Sequence, residues 1–504
     1  MSERRARPAG GRGAGGADEE LAFAGVAGLA GQLRRRTVSA VELTELFLER
    51  LERLGPTYNA VAAVLPERAR REAQRVDERR RRGAGRGTLD GIPYGAKDLV
   101  AARGAPTTWG APTYQDRVLD YDAAVVTKLQ RAGSVLAAKL AMVELAGGGG
   151  YRYASASLQG PGLTPWNTAH WSGGSSSGSG AAVAAGLVPW AIGSETSGSI
   201  ITPASFCGVT GVRPTYGLVS RRGAMALAWT LDKLGPMARS AEDCALVLEG
   251  MAGPDRGDPT SSGKQFRWEP VRGRELRRLK IGFAPADIEE MAAPAAQEGL
   301  AAGLKVLRAV GAKFVERTLP SDLPYGPAVS TVIFAEGSAA FAQLIESPEF
   351  ETLVDAKQKA GLRAGLSVPA RDHIDAQRVR VRIQEAFREI FAEVDVLVSG
   401  GRGAAAPRIE EPLDVPRGPG TRSSMDSRGQ PERPEAQRPN NAALIAAGNL
   451  AGLPAVCFPC GFTAEGLPLS LQVVGPPFSE NLLLSVAAWF QAQSDWHLRR
   501  PPGL

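Results

Sequence analysis

Lys97 in GIPYGAKD, Ser175 in WSGGSSSGSGAA and Ser199 in GSETSGSIITPA occupy three separated stretches rich in small residues. The whole chain contains 3 histidines, so histidine is a poor source of the base that a serine nucleophile needs. A serine hydroxyl attacks weakly at neutral pH unless a positioned group accepts its proton, and free lysine is protonated there. Burial removes the hydration of an ammonium and lowers its pKa, so a desolvated lysine becomes a neutral general base. Two serines and a lysine therefore point to a serine hydrolase that uses an amine, a recognised variant of the Ser-His-Asp arrangement. A rival stands in the same octet. Gly174 to Gly178 is a formal G-x-S-x-G nucleophile elbow, which would make Ser176 the nucleophile of an α/β-hydrolase. That mechanism needs a downstream histidine, and His373 and His497 are the two available. The first lies in a charged helical pattern and the second in the terminal DWHLRRPP.

These residues need a scaffold, and the surrounding pattern supplies one. GGSSSGSG has the composition of a flexible linker, but it runs from Trp171 into AAVAAGLVPWAIG, an apolar stretch suited to a buried helix followed by a strand. Leu21 to Leu54 reads as two helices separated near Thr37, with Ser39 and Glu42 spaced as a capping box for the second. Gly55-Pro56 ends that pair. A charged helix is expected from about Glu67 to Arg82, then a glycine-rich turn leads to Ile92-Pro93-Tyr94-Gly95 and Lys97. An amphipathic helix over Ala123 to Arg131 precedes a strand over Ser134 to Lys139, and LKIGFAPA reads as a further core strand. This alternation predicts an α/β protein. From 406 to 441 the chain is long, charged and proline-rich, and is expected to form a surface excursion near the substrate entrance or an insertion.

The motifs resemble the amidase signature family over Leu21 to Pro502. The Gly/Ser block, GSETSGSIITPASFCGVTGVRPTYGLVSRRG, LDKLGPMARSAEDCALVL, GIPYGAKD and NLAGLPAVCFPCGFTAEGLPLSLQVVG occur in the family's order, and Ser175 and Ser199 are spaced with no insertion. The resemblance implies an α/β/α sandwich around a mixed central sheet. It also implies Ser199 as nucleophile, Ser175 as bridging serine, Lys97 as base, and a cis peptide between Gly174 and Ser175. The backbone N–H groups of Thr196, Ser197, Gly198 and Ser199 are the implied oxyanion hole, whose donors each contribute on the order of 3 to 4 kcal/mol in comparable sites. Departures from the common pattern concern specificity. Glu195 stands where aspartate is usual, Ser197 replaces a glycine, and Ile201 replaces an arginine, leaving the acid at 195 in need of another partner. KLAMVELAGGGG replaces a KTNMxE pattern and makes a smaller, more apolar wall. The implied function is hydrolysis of small neutral or aryl amides through an acyl-enzyme, with esters and carbamates as related substrates. The alternatives are the glutaminase component of a tRNA-dependent amidotransferase, the Ser176 esterase and an inactive scaffold.

Composition sets the remaining bounds. With 504 residues and 43% hydrophobic content the chain can bury a substantial core, and residues 21–504 are expected to form one domain after a disordered Arg/Gly-rich tail at 1–20. The net charge of +6 comes from local basic runs without aromatic interleaving, which argues against a nucleic-acid partner. No export signal is evident, and the longest mainly apolar segment, Ala181 to Gly193, is too short to span a bilayer. The cytoplasm is the expected location. Cys207, Cys244, Cys457 and Cys460 read as structural thiols, since one C-x-x-C pair cannot supply a four-ligand zinc site. Serine and lysine chemistry requires neither metal nor organic cofactor, the partner is a small-molecule amide, and a homodimer is open.

Overall fold

The computed structural model describes residues 14–414 and 438–504. Its frame is an 11-stranded mixed sheet surrounded by helices. In chain order the strands are β1 Val61–Val64, β2 Pro93–Lys97, β3 Val135–Leu140, β4 Trp190–Glu195, β5 Thr210–Arg213, β6 Lys233–Ala238, β7 Lys280–Phe283, β8 Lys313–Glu316, β9 Val396–Gly400, β10 Ala455–Phe462 and β11 Pro468–Val474. Across the sheet they run β1-β3-β2-β4-β6-β5-β10-β11-β9-β7-β8. β2 lies parallel to both β3 and β4, and β7 parallel to both β8 and β9. The other pairings are antiparallel.

Burial follows position. Every residue of β2, β3, β4, β5 and β6 is buried, whereas the edge strands β1 and β8 are only partly covered. This is why the central strands read as nearly continuous apolar runs without clean alternation. Proline has no N–H to give to a ladder, and Pro459 sits at the point where the register between β10 and β11 shifts. Cys457 and Cys460 are buried free thiols on that strand.

The helices of the first segment are Gly25–Arg35 and Ala40–Leu54. The second opens with the expected capping box: Ser39 Oγ accepts from the Glu42 N–H at 3.1 Å, and the Glu42 carboxylate accepts from the Ser39 N–H at 2.8 Å. The charged helix spans Pro66–Arg81 and the amphipathic one Ala124–Ala132. The disordered tail expected over 1–20 is corrected at its end, because Ala14–Ala22 is helical. Alanine and glutamate favour helix, and Leu21 and Ala22 anchor this one on the core; residues 1–13 lie outside the described residues. Of the long excursion at 406–441, residues 415–437 also lie outside them. No helix among the described residues is long and apolar enough to cross a membrane.

Two strand ends and two helix starts converge near the centre. Lys97 is the last residue of β2, and β4 ends at Glu195, immediately before the Thr196–Ser199 turn. The fully buried helix Ser177–Ala184 leads out of the Gly/Ser block, and the helix Ile201–Cys207 leads out of the turn. Gly178 permits this convergence, since a Cβ there would stand 2.3 Å from the Ala60 carbonyl oxygen and 2.5 Å from the Ala141 nitrogen. The block is therefore a close-packed loop and not a linker.

Candidate active site

Lys97 is fully buried and donates to Ser175 Oγ at 2.7 Å and to Ser194 Oγ at 2.9 Å. Desolvation disfavours its ammonium, and the Asp232 and Glu195 carboxylates only partly offset that, so its pKa is brought down to about 7. The peptide between Gly174 and Ser175 is cis. Ser175 is itself tied back through its carbonyl, which accepts from the Val143 N–H at 3.1 Å. The Ser176 N–H donates to the Ser199 carbonyl at 3.3 Å, so the two serine loops are stitched side by side. Among the described residues, Ser199 Oγ makes no hydrogen bond with Ser175 Oγ; the Lys97–Ser175 link is formed and the second link is not.

The turn between β4 and the helix Ile201–Cys207 is held by Glu195. Its Oε2 accepts from the Ile200 and Ile201 N–H groups at 2.9 and 3.0 Å. Its Oε1 accepts from Arg213 Nη1 at 3.1 Å and Asn449 Nδ2 at 2.8 Å. Burial alone would push this carboxyl up, but Arg213, Asn449, Lys233 and the Ile201 N–H bring it down to about 2. Asn449 Oδ1 in turn accepts from Lys233 Nζ at 2.6 Å. The partner lost with arginine at 201 is thus supplied by Arg213 from β5. Gly198 has φ of +88°, a conformation that favours glycine. Among the described residues, the backbone N–H groups of Thr196, Ser197, Gly198 and Ser199 donate to no other group, which leaves them available to a substrate. Thr196 Oγ1 donates to Asp232 Oδ1 at 2.6 Å, and the Leu227 and Ala228 N–H groups hold Asp232 Oδ2.

Sequence reasoning brought Lys97, Ser175 and Ser199 into one site and missed Ser194, Asp232 and Arg213. Ser194 is brought beside the end of β2 by the parallel pairing of β4 with β2, Ala96 opposite Ile192, a cross-sheet register that no local pattern in the sequence announces. Ser176 has a different environment from the one an elbow nucleophile needs. Its hydroxyl donates to the Ser194 carbonyl and accepts from the Ser194 N–H, both at 3.2 Å. His373 faces Glu336 at 3.9 Å instead. A second buried lysine, Lys139, pairs with Asp98 at 2.7 Å and also donates to Thr107 Oγ1 at 3.0 Å. Burial lowers the Lys139 pKa and the Asp98 carboxylate opposes that shift, while Lys233, also buried, is lowered further by burial and by the Arg213 guanidinium.

Two recesses border these loops. A small one of about 30 Å³ is lined by Ser194, Thr196, Leu227 and Asp232 and has room for about one water. A larger cavity of about 350 Å³ is lined in part by Trp171, Phe206, Arg402 and Ile445. Its walls touch both serine loops: a Cβ at Gly174 would lie 2.8 Å from Trp171 Cζ2, and one at Gly198 would lie 3.3 Å from Ile445 Cγ2. Pro407, Leu413 and Asn441, from the described flanks of the 406–441 excursion, complete the rim.

Residues 42–484 match the family model described as Amidase. The chain is 38% identical to the A component of the glutamyl-tRNA(Gln) amidotransferase from Methylococcus capsulatus, over 95% of this chain and 99% of that protein. It is 36% identical to the same component from Chloroflexus aggregans, over 92% and 95%. The crystal structure of the native peptide amidase from Stenotrophomonas maltophilia superposes with a TM-score of 0.80 at 28% identity, covering 95% of this chain and 98% of that one. An 11-stranded mixed sheet that presents a buried lysine to a Gly/Ser loop, and a sequence match running through all the signature motifs, agree: the chain belongs to the amidase signature family of hydrolases, related to the A components of amidotransferases and to peptide amidases.

Proposed function

We propose that the protein hydrolyses the C–N bond of small carboxylic amides through an acyl-enzyme on Ser199, with Ser175 as proton bridge and Lys97 as base. The observation that carries the reading is the 2.7 Å contact of a fully buried Lys97 with Ser175. A neutral Lys97 accepts the Ser175 proton while Ser175 accepts that of Ser199, and Ser199 Oγ bonds to the amide carbon. The resulting oxyanion is met by the N–H groups of the Thr196–Ser199 turn. The proton returns through Ser175 to the leaving nitrogen as the C–N bond breaks. Water then attacks the ester, gives its proton to the same relay, and releases the carboxylic acid and free Ser199. The Ser175–Ser199 hydrogen bond of this relay forms on substrate binding, in line with catalytic hydrogen bonds that tighten only in the complex.

Labelling with a fluorophosphonate probe tests the assignment. It should vanish in Ser199→Ala and persist in Cys460→Ala; labelling that persists in Ser199→Ala and vanishes in Ser176→Ala refutes it in favour of the elbow. Esters and carbamates share the acyl chemistry and belong in the same substrate panel. A second reading, the glutaminase component of an amidotransferase, is favoured by the 38% identity to such a protein over nearly the full chain. Against it stand Glu195, Ser197, Ile201 and KLAMVELAGGGG, which depart from the common pattern around the site. Ammonia release from simple amides by the purified chain supports the freestanding enzyme; activity that requires partner chains and charged tRNA supports the amidotransferase. Four unpaired, buried cysteines support a cytoplasmic location.

A further inference from the structure

A buried carboxylate holds the Thr196–Ser199 turn at each end. At the far end Glu195 takes the Ile200 and Ile201 N–H groups. At the near end Asp232, the residue before β6, accepts from Thr196 Oγ1 at 2.6 Å through Oδ1 and from the Leu227 and Ala228 N–H groups at 2.8 and 3.1 Å through Oδ2. The Ala228 carbonyl in turn accepts from the Leu231 and Asp232 N–H groups at 2.9 and 3.0 Å, so the carboxylate is fixed independently of Thr196. Three donors converge on Asp232, as fits an ionised carboxylate, which accepts and cannot donate.

Asp232 also bears on the base. It is 9% exposed and lines the recess of about 30 Å³ together with Ser194, Thr196 and Lys233. Ser194 Oγ accepts from Lys97 Nζ at 2.9 Å, so one recess carries both the carboxylate and a hydroxyl bonded to the base. Of the two carboxylates that favour the Lys97 ammonium against burial, Asp232 has the larger effect and Glu195 the smaller. The other charged groups around the relay have partners of their own: Arg213 bonds Glu195, Lys139 bonds Asp98, Lys233 bonds Asn449 Oδ1, and Arg221, on the recess wall, bonds Thr260 Oγ1. Burial pushes the Asp232 carboxyl up, and the hydrogen bonds from Thr196, Leu227 and Ala228 and the Arg221 guanidinium oppose that.

We propose that Asp232 is a positioning residue for the reaction: its carboxylate sets the Thr196 end of the oxyanion turn and, as a fixed buried charge, stabilises the ammonium that Lys97 becomes when the relay takes the Ser199 proton. The inference rests on the amide-hydrolase reading above. The first chemical step separates two charges, an oxyanion and an ammonium, in a site with little water. One side chain serves both, since the Thr196 tie aims the turn's N–H donors at the first and the carboxylate offsets the second.

The second-order rate of fluorophosphonate labelling, followed from about pH 5 to 9 on the full-length protein, tests this without a chosen amide; in the parent it should rise with pH and level off above about 8. Asp232→Asn keeps a polar partner for Thr196, whose hydroxyl can accept from the new amide, and removes the charge. Its rise should lie about one pH unit lower, with a plateau reduced roughly tenfold. Thr196→Val removes the tie and keeps the charge: the plateau should fall at least about tenfold with the rise left in place, and Thr196→Ser should recover most of that loss. An Asp232→Asn rise left in place or moved to higher pH, a Thr196→Val protein labelled at the parental rate, or a Thr196→Ser protein as slow as Thr196→Val would each overturn the role. Should Asp232→Asn not fold, the two Thr196 variants decide. Parental labelling that is absent or survives Ser199→Ala sinks the amide-hydrolase reading and this inference together, whereas labelling that depends on Ser199 with an unshifted Asp232→Asn profile sinks the role of Asp232 alone.

Discussion

Lys97→Met carries the hardest test, because the substitution should abolish activity and change stability in a way that depends on pH. In the folded protein burial brings Lys97 from 10.5 to about 7, whereas in the unfolded chain it titrates near its ordinary value. The unfolded state therefore binds more protons between about pH 7 and 10.5, so this residue's contribution to stability rises with pH through that window and is a constant penalty below it. Integrating the two titrations gives a penalty of about 5 kcal/mol at pH 6 and about 2 kcal/mol at pH 9. Methionine is similar in size and carries no such penalty, but it leaves the Ser175 and Ser194 hydroxyls without Lys97, a loss of about 1 kcal/mol each. Lys97→Met should then be more stable than the parent by roughly 2 to 3 kcal/mol at pH 6 and nearly equal to it at pH 9. Urea unfolding of both proteins at the two pH values measures the difference, and other titrating groups cancel in the comparison. A stability difference that is flat between pH 6 and 9, or a parent more stable at pH 6, would show that Lys97 is not the suppressed amine on which the mechanism depends.

The same shift fixes the activity profile: kcat should fall about tenfold per pH unit below about 7 and level off above about 8, and a rate independent of pH from about 5 to 9 would contradict a neutral-amine base. Ser194→Ala removes one acceptor from the protonated form of Lys97, so the acid limb of kcat should move to lower pH; a limb displaced upward or left in place counts against the contact. Glu195→Gln leaves Arg213 buried without its anion, and thermal or urea unfolding should show a loss of about 3 to 5 kcal/mol together with reduced kcat, because the Ile200 and Ile201 N–H groups lose their charged anchor. Gly178→Ala drives a methyl into the Ala60 carbonyl; it should depress both folding yield and fluorophosphonate labelling, and a fully labelled, stable variant would show that the Gly/Ser loop is looser than its packing implies.

What the sequence made legible and what it hid divide along a physical line. The capping box at Ser39, the charged helix after Pro66 and the strand β3 announce themselves through neighbours in the chain, because turn chemistry and hydrophobic period act over a few residues. Lys97, Ser175 and Ser199 were legible because their motifs are dense and ordered, although composition alone would have read GGSSSGSG as a linker. Arg213 was hidden because its pairing with Glu195 is made across the sheet, with β6 between β4 and β5. The departure at 201 announced that the carboxylate needed a partner and could not say from which strand it would come. Asp287 was hidden for a stronger reason. It lines a cavity with Gln472, Phe206 and Ile445, and those walls are assembled from segments far apart in the chain. Chemistry that depends on one buried amine was therefore readable from local pattern, while the cavity beside it, assembled across the fold, could be read only from the packed structure.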